Sequence, residues 1–336
     1  MPNNVPITSS ELGTLWMTYL KNKMLLRMLD YFLEKENDTA AKDIMSSYYT
    51  NATNFTNEIE LMFNKEGAAI PIAFSSNDIH KDAPPLWDNY FDIIFLRVMM
   101  KLSLGFNALH HGMAYRSDII DFYKRCIDTP KETYDRCTRF LNEKGILARP
   151  PYVSMPKEAT FVEQKGYMKG IKLFGSKRSL NTIEIAHIYN VLEANVMGTQ
   201  LMTGFAQAAT ESEVTDYFLK GKELAKKIVS DLTQIMQESD IQAPSTWAGR
   251  ATDSTVTPFS DKMMMFCSTL ISSFALGANA IGTSLSLRSD LPKKLIEIAT
   301  DTYQFASEGG QLMIKHNWLE EPPQMEDRNE LTKSKK

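Results

Sequence analysis

Residues Leu104 to Asp118 read LGFNALHHGMAYRSD, and residues Leu276 to Asp290 read LGANAIGTSLSLRSD. Seven of the fifteen positions are identical, where average composition would give roughly one by chance. The echo extends outward in both directions. Pro85 and Asp88 return as Pro258 and Asp261, Glu11 as Glu184, Asn22 as Asn195, Asp43 as Asp216, and Pro150-Pro151 as Pro322-Pro323. The offset is 172 or 173 residues throughout, with a single-residue slip between Asp261 and Leu276. Self-similarity on this scale reads as one helical unit written twice.

Each copy carries the pattern of four helices. The first helix opens on a capping box, Thr8 with Glu11 in one copy and Asn181 with Glu184 in the other. In that motif each side chain satisfies a free amide of the first turn. Leu15, Tyr19, Leu26, Leu29 and Leu33 follow on one stripe, with Asn22 among them, and Asn195 holds the matching place in the second copy. A second helix is expected over Thr39 to Lys65, buried through Ile44, Tyr48, Phe55, Ile59 and Met62. A third is expected from about Leu86 to Ala114, with Arg116 suiting its C-terminus. Ser117 and Asp118 are expected to cap a fourth, as are Ser289 and Asp290 after Arg288 in the second copy. Pro130 is expected to kink that fourth helix before Gly145 stops it.

A long connection, GAAIPIAFSSNDIHKDAPP, separates the second helix from the third, and residues 240–257 repeat it. It is longer than neighbouring antiparallel helices need and can traverse a helix. Four helices with one long crossover are the ferritin-like arrangement. The expected fold is therefore all-α: a tandem duplication of a ferritin-like four-helix bundle with a long crossover between the second and third helices of each copy. The boundaries drawn are 1–151 and 179–323 for the bundles, each around its own core, with a basic, glycine-containing linker at 152–178 and a charged, disordered tail at 324–336. With the crossover in place, Asn22 and Asn107 fall at similar heights. The pairs Asn22/Asn107 and Asn195/Asn279 then become buried polar plugs that set register.

The bulk numbers exclude more than they assign. A formal net charge of −4 over 336 residues argues against a general nucleic-acid binder. Cys126, Cys137 and Cys267 show no metal-ligand spacing, and a reducing, cytoplasmic compartment is expected. The opening MPNNVPITSSELG has neither a basic nor an apolar leader region, so no signal peptide is expected. The linker holds Lys165, Lys169, Lys172, Lys177 and Arg178, with Gly166, Gly170 and Gly175, and reads as a solvated segment. Gly170 to Ser179 fails as a phosphate loop, because Ser176 stands where Lys must follow the second Gly. No charge occurs between Lys262 and Arg288. The corresponding first-copy helix bears charges, so burial is favoured over a membrane span. Ala278, Gly282 and Ser286 would let a neighbour approach closely. The stretch 263–287 is therefore the expected contact between the copies, or with a second molecule or coat-type partner.

Catalytic groups are scarce. A di-metal carboxylate site needs Glu from two helices and Glu-x-x-His from the other two. One such pair exists, Glu184 with His187, and its glutamate is already used as a cap. His110 and His111 diverge by about 100° on a helix, and Gly282 and Thr283 replace them in the second copy. No metal and no cofactor are expected.

The RSD turns, the LGxNA segments, the Pro-Pro closures and DSTVTPFSDKMMMF (Asp253 to Phe266) resemble a domain-of-unknown-function family of spore-forming bacilli, family 3231, across nearly the whole chain. The resemblance implies duplicated ferritin-like proteins, some of them labelled spore-coat proteins, and brings no established activity with it. Some relatives place a histidine midway along the second helix, where this chain has Asn57 and Lys227. The expected function is a non-catalytic structural or binding protein associated with the spore or its coat. The alternatives are a ferritin-like metal protein or oxidoreductase, and a membrane-associated helical protein through 263–287.

Overall fold

The computed structural model describes residues 5–88, 90–164, 166–170, 177–242, 245 and 248–333. Eight long helices carry the fold: α1 (Ser9–Lys35), α2 (Thr39–Glu66), α3 (Phe91–His111), α4 (Ser117–Glu143), α5 (Thr182–Ala208), α6 (Ser212–Gln237), α7 (Asp261–Leu285) and α8 (Asp290–Lys315). Both capping boxes form at the starts of α1 and α5. Gly67, at φ 69°, closes α2 in the left-handed conformation that glycine adopts without a steric penalty. α4 continues through Pro130 as one helix, and Gly145 follows it at φ 68°.

The third helix is shorter than its apolar run suggests. Leu86 and Trp87 lie outside it, and it ends at His111, so Arg116 is the residue before α4 and not the end of α3. Apolar content alone does not distinguish a helix from a buried extended segment.

Side-chain pairs give the helix directions. Glu11 accepts from the amides of Tyr115 and Arg116, Thr18 meets His110, and Lys21 meets Asn107. α1 and α3 are therefore antiparallel. Asp38 pairs with Lys144, Asp43 with Arg136 and Glu58 with Arg125, so α2 and α4 are antiparallel too. Tyr19 meets Glu60 and Arg27 meets Tyr49, so α1 and α2 are antiparallel as well; α2 and α3 therefore run parallel, and the segment between them returns along the length of the set. The second half repeats the scheme, through Glu184 with Arg288, Glu213 with Lys315, and Lys227 with Asp301.

The two crossovers pair with each other. Ile79 bridges Phe259 and Trp87 bridges Ala251, both antiparallel. Thr252 N donates to Leu86 O at 3.0 Å, and Ser260 N to Asp78 O at 2.9 Å. Thr252 is the copy of Ile79, Phe259 of Leu86, Ser260 of Trp87 and Ala251 of Asp78. The contact therefore maps onto itself when the copies are exchanged, as in an isologous interface.

Around this seam the apolar interior is continuous. Trp87 stacks on Phe91 (4.5 Å between centroids) and meets Phe205 edge-on at 5.8 Å, while Tyr31 meets Phe259 at 5.2 Å. One cluster of buried side chains runs from the first half into the second, and a smaller one closes the far end around Leu192, Leu232 and Leu295. The expectation that each half encloses its own core is corrected accordingly. The crossovers carry large aromatics, and these fill the space between the halves. Polar contacts add to the junction: Glu193 of α5 pairs with Arg97 at 2.6 Å and Lys101 at 2.5 Å, both on α3.

Among the described residues, α3 and α7 are long and apolar enough to cross a membrane by length and composition. Both pack against other helices here. In the linker, Lys177 pairs with Glu238 and Asp290, and Arg178 with Glu184, so these two charges are engaged in ion pairs. Lys165, Lys172, Gly175 and most of the tested phosphate-loop stretch lie outside the described residues. The tail, expected to be disordered, contains a short exposed helix, α9 (Arg328–Lys333), which Asp327 caps through the amides of Asn329 and Glu330.

Candidate functional site

Two places inside the first half bring ionisable groups together. The first is a polar network between α1, α2, α3 and α4, centred on Lys21, which is only 3% exposed. Lys21 Nζ donates to Ser103 Oγ at 3.2 Å and Asn107 Oδ1 at 3.3 Å. The Asn107 amide donates to the Cys126 carbonyl, and the Tyr48 hydroxyl is hydrogen-bonded to Ser103. One turn along, the Thr18 hydroxyl lies 3.3 Å from both His110 Nδ1 and the Tyr123 hydroxyl. No carboxylate accompanies Lys21 in this set. Burial lowers its pKa to about 8, and burial together with the nearby ammonium lowers that of His110 to about 4. Burial pushes the Cys126 thiol up to about 12. The network is thus a buried amine satisfied by neutral acceptors, next to a histidine held neutral.

Asn22 and Asn107 are both buried, and the residue that reaches Asn107 is Lys21, one position before Asn22. Asn279 is buried as expected. Asn195 is only half-buried, and its amide turns back to the carbonyl of Val191 at 2.9 Å. That bond to its own helix satisfies the amide without a plug. Lys21 escaped sequence reasoning because lysine normally carries its charge to the surface. Its copy, Ala194, is the one hint that the position faces inward.

The second place is a cavity of about 420 Å³ beside the α1–α2 turn, within the range of small-molecule sites. Aromatic walls (Tyr31, Phe32, Trp87 and Phe91) face Glu36 and Asp92. Burial, then the charge and hydrogen bond of Glu36, raise the Asp92 pKa well above its ordinary 3.8. Asp92 is therefore the carboxyl that holds its proton, hydrogen-bonded to Glu36. Glu36 in turn accepts from the amides of Asn37 and Asp38 at 2.6 and 2.7 Å. In the second half the matching amides, of Thr210 and Glu211, are held instead by Asp261. Because its folded-state pKa is raised, Asp92 contributes stability that is fully present below about pH 4 and lost as pH rises through the folded value. Asp92→Asn keeps a donor for Glu36 and removes the titration. Its urea midpoint is expected to gain on the wild type as pH rises above about 4. Parallel pH profiles would count against the raised Asp92 pKa.

The carboxylates expected as caps are fully engaged. Glu11 Oε1 accepts from Tyr115 N and Arg116 N at 2.8 and 2.7 Å, and Oε2 accepts from Thr8. Glu184 Oε1 accepts from Leu287 N, Arg288 N and Arg178, and its Oε2 from Asn181 N and Arg178. Burial raises the Glu184 pKa, and the Arg178 guanidinium and these amides more than reverse that. A guanidinium therefore occupies the position that a metal ion would need. His187 is half-buried and lies against Gly282. Among the described residues, no group of three or more His, Cys, Asp or Glu is arranged to hold a metal ion. Arg116 and Arg288 each grip the aspartate two residues on, Asp118 and Asp290, through paired contacts of 2.8 to 3.1 Å. Ser117 and Ser289 make no side-chain cap, contrary to expectation: Ser117 is the first residue of α4, and Ser289 Oγ accepts from Gly170 N at 3.0 Å. The arginine–aspartate clamp holds these turns instead.

A family model described as protein of unknown function (DUF3231) matches residues 1–158 and again residues 168–331. No protein of curated function is matched by the chain. Among solved structures, one described as a "putative spore coat protein" from Bacillus halodurans C-125 is similar at 17% identity, covering 46% of this chain and 100% of that chain, with a TM-score of 0.41.

Proposed function

We propose, from the premise that this chain belongs to the DUF3231 family of proteins of unknown function, that it is a non-catalytic structural or binding protein made of two ferritin-like four-helix bundles. The bundle reading is supported by the helix directions and the long return segment in each half. The domain division at 1–151 and 179–323 belongs to the same proposal. One observation carries the functional reading. At mid-height in the first half, where a ferritin-like protein would gather carboxylates, Lys21 supplies a buried ammonium that repels metal cations.

An exposed apolar strip recurs in both copies. Leu109 and Met113 on and just past α3, and their counterparts Ile281 and Leu285 on α7, are 56%, 38%, 56% and 47% exposed. Small residues flank them: Gly105, Ala108 and Gly112 in one copy, Gly277, Ala280 and Ser284 in the other. We assign this face, and α7 in particular, to a second copy or a coat-type protein partner. The setting in a spore or its coat rests on the family resemblance alone.

Native mass spectrometry of the purified protein, after exposure to Fe(II), Mn(II) or Zn(II), reads assembly and metal together. The expected result is a metal-free dimer that Ile281→Lys with Leu285→Lys converts to monomer. Stoichiometric metal lost in Glu184→Ala or His187→Ala would overturn the non-catalytic reading, and a dimer indifferent to the double lysine variant would remove the face.

A further inference from the structure

The second half is hollow where the first half holds its lysine. At the repeat offsets, Ala194 stands for Lys21, Gly221 for Tyr48, Ala275 for Ser103 and Ile298 for Cys126, while Asn279 keeps the place of Asn107. The exchange removes an aminopropyl unit, a tyrosine side chain and a serine hydroxyl. A cavity of about 70 Å³ remains, lined by Ala194, Gly221, Ile271, Ala275, Asn279 and Phe305 among others. Phe305 fills part of the space of the missing tyrosine, since a Cβ at Gly221 would lie 2.6 Å from its ring.

The atom that receives the ammonium in the first half is left over in the second. Asn279 is 1% exposed, and its Oδ1 has no hydrogen-bond partner. A buried acceptor without a donor is destabilising, and few native groups are left in that state. The rest of the lining is mostly aliphatic, with Asn195, Ser272 and Thr302 also present, and Asn279 Oδ1 is the one lining acceptor that is buried and unpartnered among the described residues.

We propose that this cavity binds a small primary amine from solution, its N–H donating to Asn279 Oδ1 and its short alkyl tail lying against Ala194, Ala275 and Ile271. The ligand does between molecules what the end of the Lys21 side chain does within the first half. Size limits the choice. A cavity of about 150 Å³ accommodates benzene, so one of about 70 Å³ takes roughly three non-hydrogen atoms, as in ethylamine. The inference goes beyond the proposed function and does not depend on the α7 face or on metal content.

The test uses the full chain and ligand-observed NMR with ethylamine as probe and tert-butylamine as the oversized control. Saturable binding of ethylamine at one site per chain, with none of tert-butylamine, is expected. Ala194→Leu, which fills the space, is expected to weaken binding at least tenfold while the helical circular dichroism is retained. Ala275→Val serves as a second filler should the first not fold. Absence of saturable binding, meaning a cavity filled by water only, would overturn the proposal. Wild-type affinity in a folded filler variant would overturn it equally.

Discussion

Glu184→Ala is expected to lower the unfolding free energy by about 3–5 kcal/mol, the range for removing one member of a buried ion pair. Three backbone amides, those of Asn181, Leu287 and Arg288, lose their acceptor at once. Arg178, whose side chain is 18% exposed, loses its counter-ion. Glu11→Ala in the first half provides the comparison. Glu11 serves the equivalent amides and has no arginine partner, so a smaller loss of about 2–3 kcal/mol is expected, nearer the value of charge-assisted hydrogen bonds alone. Urea unfolding followed by circular dichroism measures both. Equal losses would mean that Arg178 adds nothing to the second joint.

Trp87→Ala is the other large effect, expected at about 3–5 kcal/mol as for large aromatic truncations in cores. The indole packs between Phe91, Phe205 and Phe32, and its Nε1 donates to the Gln200 carbonyl at 2.9 Å. Gly204 permits this approach, because a Cβ there would sit 2.6 Å from the ring. The variant therefore opens a void between the halves and also leaves Gln200 O without its donor. Trp87→Phe is expected to recover most of the packing and to lose the hydrogen bond, for a deficit of about 1–2 kcal/mol. A loss below about 1 kcal/mol for the alanine variant would show that the seam does not support the core.

The helices, their caps and the long return segments were legible because they rest on local rules: capping boxes at Thr8 and Asn181, apolar stripes at helical spacing, and a connection too long for a tight turn. The repeat gave the copy-to-copy correspondence directly. What stayed hidden depends on contacts between segments remote in sequence. Nothing near Leu86 or Phe259 announces that the crossovers meet, since their partners lie more than 150 residues away. The buried role of Lys21 was concealed by a residue type that normally reaches water. Glu36 follows α1 and Asp92 lies in the first turn of α3, and each looks, one at a time, like an ordinary terminal acid. Asn195 misled for the opposite reason: its place in the repeat matches a buried asparagine, yet its amide is satisfied by its own helix.

The self-matching seam between the crossovers gives the molecule the geometry of a dimer whose subunits have been fused into one polypeptide. In a true homodimer any substitution enters both sites together, so the sites are condemned to remain alike. Fusion lifts that restriction. A lysine could settle at one centre while an alanine emptied the other, leaving a division of labour that two identical chains could never encode.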